Sequence, residues 1–437
     1  MEIAPLLLVM FFWGLTLGYP MQLLEHVRCR FLGYEIPVYY FFTVLPVLSA
    51  SAWGLWRKRS WTQWELLWCL LPLICLPGIL YSDDRLWSIR QWLSWLVRGV
   101  IPGGMIFLTA RWEDARTLII YWIYPVIIAA SLLGLTELYS DHNFLWDKLF
   151  APIPATSQPE NPFYRPIPRR TDTVISRRPM GTQGNRIPYA SSLVAFLPLG
   201  FWLFRYRKRF YLAYLLAGVL LFCILILAQV RAVWLATLVG LILMPRLGLL
   251  SREQTANVVV GLSLCLAIFM IWPQTRSLLW TRFHSFHLSE NSIRERLEAF
   301  QTVKLLKHHW FAGIGFGQFP TAGKQFYPSE LVWNYTPDNQ YLRWAIENGL
   351  PSFGLLLAFL VGLIRASWEN IQKMAEAQQT DFYKSLLVGW LSVAVTFLFF
   401  DGFYWGACNM TFWCFLGLFS TCLSSQNQAP HIPPQHG

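Results

Sequence analysis

The chain has 437 residues, of which 55% are hydrophobic and 17% aromatic, while only 14% are charged. A soluble domain of this size carries roughly a quarter charged residues. The formal net charge of +11 is divided among several loops that carry no DNA- or RNA-binding motif. The composition therefore excludes an ordinary soluble enzyme, and the charge pattern argues against a nucleic-acid-binding protein.

The apolar residues cluster into runs of about 17–25, the length that crosses about 30 Å of hydrocarbon as a helix. These runs predict an all-α integral membrane protein with about twelve transmembrane helices, in a single transmembrane domain over residues 1–437. The first run has no basic region before it and no small-residue cleavage site, so we expect a retained helix and not a signal peptide. The predicted spans lie near 4–19, 36–56, 61–80, 91–110, 117–138, 188–204, 210–229, 232–245, 257–273, 340–364, 385–400 and 403–423.

The basic residues of the short loops set the predicted orientation. Clusters at 57–59 and 205–209, with the basic residues of the other loops of the same parity, fall on one side of the membrane. The positive-inside rule makes that side cytoplasmic, and both chain termini are then cytoplasmic as well. Two long loops, at about 139–187 and 274–339, are predicted to be external.

One long apolar stretch is interrupted by a charge. The run from Phe210 to Met244 is too long for one crossing at about 1.5 Å per residue, and it is broken only by Gln229 and Arg231. A tight hairpin is therefore predicted there. Because a charge between two apolar helices is costly unless it faces a cavity or a partner, Arg231 is a candidate site residue. The alternative is that Arg231 reaches the external headgroups from the hairpin tip.

The second long loop contains an amphipathic helix. Ser292 and Glu295 have the spacing of a capping box at its start. Such a helix could lie on the membrane surface or pack over a cavity. Its apolar residues recur every three or four positions, at Ile293, Leu297, Phe300, Val303, Leu306 and Trp310.

Both external loops hold an excess of arginine, including Arg178 in the first and Arg294 and Arg296 in the second. Long loops are largely exempt from the positive-inside rule, so these arginines have a neutral interpretation. The functional interpretation is phosphate binding, because the guanidinium group is permanently charged and pairs bidentately with phosphate oxygens.

Polar residues return where the second loop enters the next helix. Asn339, Arg343 and Glu347 are spaced i, i+4 and i+8, which places them on one helical face. Arg343 and Glu347 either form a buried ion pair that holds helices together or contact substrate. Asp338 either caps the helix or takes a proton from an attacking sugar hydroxyl.

Four stretches carry these features in order along the chain. They are Arg177-Arg-Pro-Met-Gly-Thr-Gln-Gly-Asn185; Gln229-Val-Arg-Ala-Val-Trp234; Arg296-Leu followed by His309-Trp-Phe-Ala-Gly-Ile-Gly-Phe-Gly317; and Asp338-Asn-Gln-Tyr-Leu with Glu347-Asn-Gly349. Together they resemble the O-antigen ligase and polymerase family of multi-spanning membrane glycosyltransferases. The resemblance runs over about 177–354, a predicted catalytic region that includes the external loop 274–339. Ligases of the family usually have histidine where this chain has Asp338.

The resemblance implies glycosyl transfer without metal, cofactor or nucleotide sugar. A glycan linked to undecaprenyl diphosphate is the implied donor, and a hydroxyl of a lipid A-core or other glycan is the implied acceptor. Arg231 and Arg296 would stabilise the leaving diphosphate, and Asp338 would be the base, oriented by Asn339. The predicted substrate-binding residues are Arg178, Asn185, Arg294, Asn339, Arg343 and Glu347.

The implied location is a bacterial cytoplasmic (inner) membrane, with the protein in contact with membrane lipids and its active site facing the periplasm. A polymerase of the same superfamily, which extends a carrier-linked chain, is the alternative within this class. A twelve-helix transporter is the alternative of a different class, but the sequence shows no internal repeat typical of transporters. A structural membrane subunit would leave the clustered arginines unexplained.

Overall fold

A computed structural model describes residues 28–31, 34–37, 62–109, 119–139, 186–207, 211–271, 276, 280, 300–323 and 338–423. Within these ranges the regular structure is helical except for one antiparallel hairpin, β1 (Arg28–Phe31) and β2 (Tyr34–Pro37). The prediction of an all-α protein misses this hairpin, and the predicted span 36–56 begins inside β2. The sequence of β1 alternates arginine with cysteine or phenylalanine, and this period of two suits a strand better than a helix.

The helices follow the apolar runs of the sequence. Short 3-10 or π-helical turns adjoin several of them, at Leu71–Cys75, Leu96–Val100, Ile119–Ile123, Phe300–Leu305, Gly402–Tyr404 and Thr421–Leu423. The α-helices are α1 (Gln63–Leu70), α2 (Leu76–Leu80), α3 (Arg85–Trp95), α4 (Ile101–Thr109), α5 (Tyr124–Tyr139), α6 (Arg186–Leu193), α7 (Phe196–Tyr206), α8 (Tyr211–Leu227), α9 (Arg231–Arg246), α10 (Arg252–Ile271), α11 (Leu306–His309), α12 (Phe319–Gly323), α13 (Gln340–Ile371), α14 (Ala377–Thr396) and α15 (Gly406–Ser420).

Four helical stretches of the described chain are long and apolar enough to cross a membrane: Gln63–Leu80, Arg186–Tyr206, Gln340–Ile371 and Gly406–Leu423. Tyr124–Thr136 and Leu212–Leu227 are shorter apolar helices. These features are those of a helical membrane protein. The predicted span 4–19 and most of 36–56 lie outside the described residues, so the total of twelve spans and the orientation stay predictions.

The predicted hairpin between α8 and α9 is confirmed. Helix α8 ends at Leu227 and α9 begins at Arg231. The turn is made by buried Gln229, whose φ of 54° lies in the left-handed region. The two apolar helices therefore reverse direction within a few residues, and Arg231 starts the second of them.

Helix α15 lies at the centre of the packed core. It is buried along its length and contacts α4, α6 and α14. At its crossing with α4, a Cβ added to Gly417 would stand inside van der Waals contact with the carbonyl oxygen of Gly103. Small residues thus let the two backbones approach closely, as is common between membrane helices.

Helix α13 is kinked near its start. Gly349 has φ 83° and ψ 163°, a conformation essentially restricted to glycine, and Pro351 follows it within the helix. Because proline has no N–H, the carbonyl of Glu347 loses its helical partner, and the turned chain also withdraws the Leu350 N–H from the carbonyl of Ile346. The kink therefore frees backbone groups that need other partners.

The glycine-rich turn at 310–318 supplies those partners. The N–H groups of Ile314 and Gly315 donate to the two freed carbonyls at 3.0 Å each, and the Leu350 N–H donates to the carbonyl of Trp310 at 2.7 Å. Gly313 has φ 75°, and a Cβ there would collide with the carbonyl oxygen at the kink. The turn thus satisfies the backbone groups that the kink frees, and its close approach to the kink requires glycine at position 313.

Candidate functional site

The first candidate residues lie where α13 begins. Asn339 is the N-cap, and its Oδ1 accepts a hydrogen bond from the Leu342 N–H at 3.0 Å. The interpretation of Asp338 as the cap is therefore wrong. Asp338 precedes the cap with φ 43°, a left-handed conformation that aspartate tolerates better than most residues. Capping thus accounts for Asn339 and not for Asp338.

The cap predicts a measurable cost at Asn339. Replacing Asn339 by alanine should destabilise the protein by about 1 kcal/mol, because the Leu342 N–H then loses its acceptor. Asn339→Asp is the matched control, since its carboxylate can accept the same hydrogen bond. Thermal unfolding of the purified protein in detergent measures both, and equal losses for the two variants would contradict the capping role.

Arg343 is the centre of a buried charged network. Its side chain is completely buried, and its Nε donates to Glu347 Oε1 at 2.9 Å. Its Nη1 donates to Asp401 Oδ2, and the guanidinium lies over the Tyr404 ring, 3.3 Å from the centroid. The interpretation of Arg343 and Glu347 as a buried ion pair is confirmed, while substrate contact by either residue stays a prediction.

Glu347 connects this network to the start of α12, directly after the glycine-rich turn. Its Oε1 accepts from the Phe319 N–H at 3.2 Å, and its Oε2 accepts from the Tyr404 hydroxyl. A buried carboxylate with several donors of this kind is well satisfied, and its position is fixed by three separate segments of the chain.

The sequence reasoning missed Asp401 and Tyr404, which lie between α14 and α15. Burial raises the pKa of the Asp401 carboxyl to about 6; the Arg343 guanidinium opposes this rise, and the charge of Asp338 adds to it. The negative charge of Asp338, the predicted base at the start of α13, therefore acts on the Asp401 carboxyl. A signal was present in the sequence, because Asp401 is a charge between two apolar helices, the argument that singled out Arg231.

Gln340 fastens the Asp401 loop to the mouth of α13. Its backbone N–H donates to the Phe397 carbonyl at 2.9 Å, and its side-chain Oε1 accepts from the Phe403 N–H at 2.8 Å. Aromatic rings pack beneath, with Trp95 and Trp344 centroids 5.0 Å apart in an edge-on arrangement. Hydrogen bonds of Gln340 and packed aromatic rings therefore hold the loop that carries Asp401 next to α13.

Arg231 lies at the same end of the helix bundle. Helix α9 packs against α14, with Met244 near the end of α9 in contact with Val388 near the middle of α14. Further back, a Cβ on Gly240 would stand 3.0 Å from Ser392 Oγ, so the two helices run antiparallel. Because the helices are antiparallel, the start of α9 lies beside the end of α14. Half-buried Arg231 is therefore level with the loop that follows Thr396 and contains Asp401.

The start of α9 has no side-chain cap for its first backbone N–H groups. The N-cap, Val230, has no side-chain acceptor for the first N–H groups of the helix. Next to it, the Nε2 of buried Gln229 has no hydrogen-bond partner within the described part of the chain. Positive helix-end charge and an arginine at one point favour an anion there.

The remaining predicted site residues, Arg178, Asn185, Arg294 and Arg296, lie outside the described residues, as does the predicted capping box at Ser292. Among the described residues, no group of three or more His, Cys, Asp or Glu side chains could hold a metal ion. The described residues therefore place a set of charged groups at one end of the bundle: Asp338, the Arg343 network, and Arg231.

These features define a helical membrane protein with a buried charged network at one end of its bundle. Residues 216–359 match the family model described as O-antigen ligase. The match confirms the resemblance to the O-antigen ligase family and takes in the motifs from Gln229 to Gly349, while the Arg177–Asn185 stretch precedes it. No curated protein matches the chain. The family suggests a glycosyltransferase-like enzyme of a bacterial membrane that acts on glycan and lipid-linked substrates.

Proposed function

We propose that this protein transfers a glycan from undecaprenyl diphosphate to an acceptor hydroxyl on the external face of the cytoplasmic membrane, as an O-antigen ligase does. The observation that carries the proposal is the family match over 216–359. The site geometry supports it, because Arg231 and Asp338 lie at the same end of the bundle.

The proposed reaction is a single displacement. The acceptor oxygen bonds to the anomeric carbon, the bond from that carbon to the diphosphate oxygen breaks, and the hydroxyl proton passes to the Asp338 carboxylate. Negative charge collects on the leaving diphosphate. Arg231 and the uncapped start of α9 bind it, with Arg296 and Arg178 contributed by the external loops. No metal is needed in this scheme.

The test is transfer in vitro. Purified protein in nanodiscs receives a labelled undecaprenyl-diphosphate glycan and candidate acceptors, with EDTA present. Wild-type product with a lipid A-core acceptor supports a ligase, whereas product with a carrier-linked glycan indicates a polymerase. No product from any acceptor, together with movement of the lipid or sugar across the bilayer, would overturn the proposal in favour of a transporter.

Arg231→Ala is expected to lower kcat/KM by about two to three orders of magnitude, because it removes charge stabilisation from the leaving group. Arg246→Ala is the matched control, since Arg246 is an exposed arginine at the opposite end of α9.

Asp338→Asn should lower kcat by at least about two orders of magnitude. If Arg231→Ala loses transferase activity and Asp338→Asn keeps it, the result supports the diphosphate site at Arg231 and shows that Asp338 is not the base.

A further inference from the structure

Residues 300–311 present two different faces. One face carries Thr302 and Leu305, which are buried, and Leu305 packs in a small cluster with Ile314, Phe319 and Ile346. The other face is apolar and exposed. Phe300 and Trp310 are each 55% exposed, and Val303 and Phe311 are exposed to a similar extent.

The sequence left open whether this segment lies on the membrane surface or packs over a cavity. Of the predicted apolar stripe, Phe300, Val303 and Trp310 point away from the protein, and Leu306 is only partly buried. Within the described part of the stripe, Leu306 packs against the cluster around Leu305, whereas Phe300, Val303 and Trp310 are exposed. The exposed face therefore needs an apolar surrounding of another kind.

The position of the segment indicates what that surrounding is. The Trp310 carbonyl accepts the Leu350 N–H, and Leu350 is the first exposed large apolar residue of α13, followed by Leu355 and Val361. Residues of α13 before Leu350 belong to the buried site. Trp310 therefore stands where the exposed apolar surface of a membrane-spanning helix begins, which is the level of a membrane interface.

A second span ends at the same level. A Cβ added to Gly78 would lie 2.9 Å from the Glu347 carbonyl oxygen and 3.1 Å from that of Ala312. Just beyond it, Leu80 and Tyr81 are strongly exposed. Trp310 beside the kink of α13 and Tyr81 just past the span that ends at Leu80 are the kind of aromatic residues found at headgroup depth.

The segment also carries positive charge on its exposed side. Lys304 and Lys307 are exposed, and they lie in the sequence between the exposed aromatic residues Phe300 and Phe311. Lysines beside a row of aromatic residues are typical of segments that lie in the interface plane and meet lipid phosphates.

We infer that residues 300–311 rest in the headgroup layer of the membrane, with Phe300, Val303, Trp310 and Phe311 immersed and Lys304 and Lys307 on the phosphates of anionic phospholipids. The occupant of this face is membrane lipid, and not the glycan carrier or a second copy of the chain. The inference does not depend on the proposed transfer reaction.

The experiment is photo-crosslinking of the full-length protein in nanodiscs of phosphatidylethanolamine and phosphatidylglycerol. p-Benzoylphenylalanine replaces Phe300 or Phe311 in separate variants. Two further variants carry it as controls, at Leu355, which is exposed on the apolar surface of α13, and at Glu253, an exposed charged residue in the first turn of α10. Adducts are identified by mass. We expect lipid adducts at Phe300, Phe311 and Leu355 but not at Glu253.

The lysines are tested in the same variants. Lys304→Gln with Lys307→Gln should lower the share of phosphatidylglycerol among the adducts by roughly fivefold for each lysine replaced, from about 1 kcal/mol per lysine near an anionic surface. Lys373→Gln, just beyond the far end of α13, should leave that share unchanged. Adducts to the protein itself or to a second copy, or a lipid share indifferent to the lysines, would overturn the inference.

Discussion

Arg343→Met should lower the stability of the protein by about 3–5 kcal/mol, the usual cost of removing one partner from a buried charged network. The side chain is completely buried, and its loss leaves the carboxylates of Glu347 and Asp401 without their counter-charge. Its contact with the Tyr404 ring disappears as well. Thermal unfolding in detergent, followed by tryptophan fluorescence, measures the effect.

Helix α13 offers a matched control for this prediction. Arg365 pairs with Glu369 at 3.0 Å with the same i, i+4 spacing, but the Arg365 side chain is 81% exposed. Exposed pairs on helices contribute only about 0.3–0.5 kcal/mol, so Arg365→Met should change stability little. Similar losses for Arg343→Met and Arg365→Met would contradict the role of burial.

A combined variant separates charge from shape. If the loss in Arg343→Met comes from uncompensated carboxylates, then adding Glu347→Gln and Asp401→Asn should recover part of it, because the remaining groups are neutral. Packing defects would instead add to one another. A triple variant less stable than Arg343→Met alone would show that the network is held by its shape and not by its charges.

The sequence predicted most of the helices because their apolar runs are long and membrane helices must satisfy their own backbone. The hairpin at Gln229 and Arg231 could be predicted since only those polar residues break the run. The ion pair of Arg343 with Glu347 followed from spacing alone. In each case the information is local in the chain.

What the sequence did not predict depends on contacts between distant segments. Asp401 pairs with Arg343, which is 58 residues away in the sequence. No local sequence pattern predicts which charged residue Asp401 contacts. The outward direction of Phe300 and Val303 could not be read from their spacing, because the same stripe serves a protein core or a lipid surface. Only the burial of Thr302 and Leu305 on the opposite side distinguishes the two.

Gly349→Ala is expected to destabilise the protein by about 3 kcal/mol or more. The backbone of Gly349 has φ 83° and ψ 163°, a conformation that costs any other residue about 1–3 kcal/mol. A Cβ would also collide with the carbonyl oxygen of Phe311, which is backbone and cannot rotate away. The turn must then move, and its hydrogen bonds to the kink, each contributing about 1 kcal/mol, weaken.

Gly354→Ala is the control on the same helix, because a Cβ at Gly354 meets nothing within 4 Å. Alanine is preferred to glycine inside a helix by roughly 0.5–1 kcal/mol, so this variant should be neutral or slightly more stable. Thermal unfolding compares the two. Since the Phe319 N–H, directly after the turn, donates to Glu347, Gly349→Ala should disturb the charged network as well as the kink. Equal stability of the two variants would mean that the kink tolerates a side chain, and that the glycine-rich turn is not what fixes the position of Glu347.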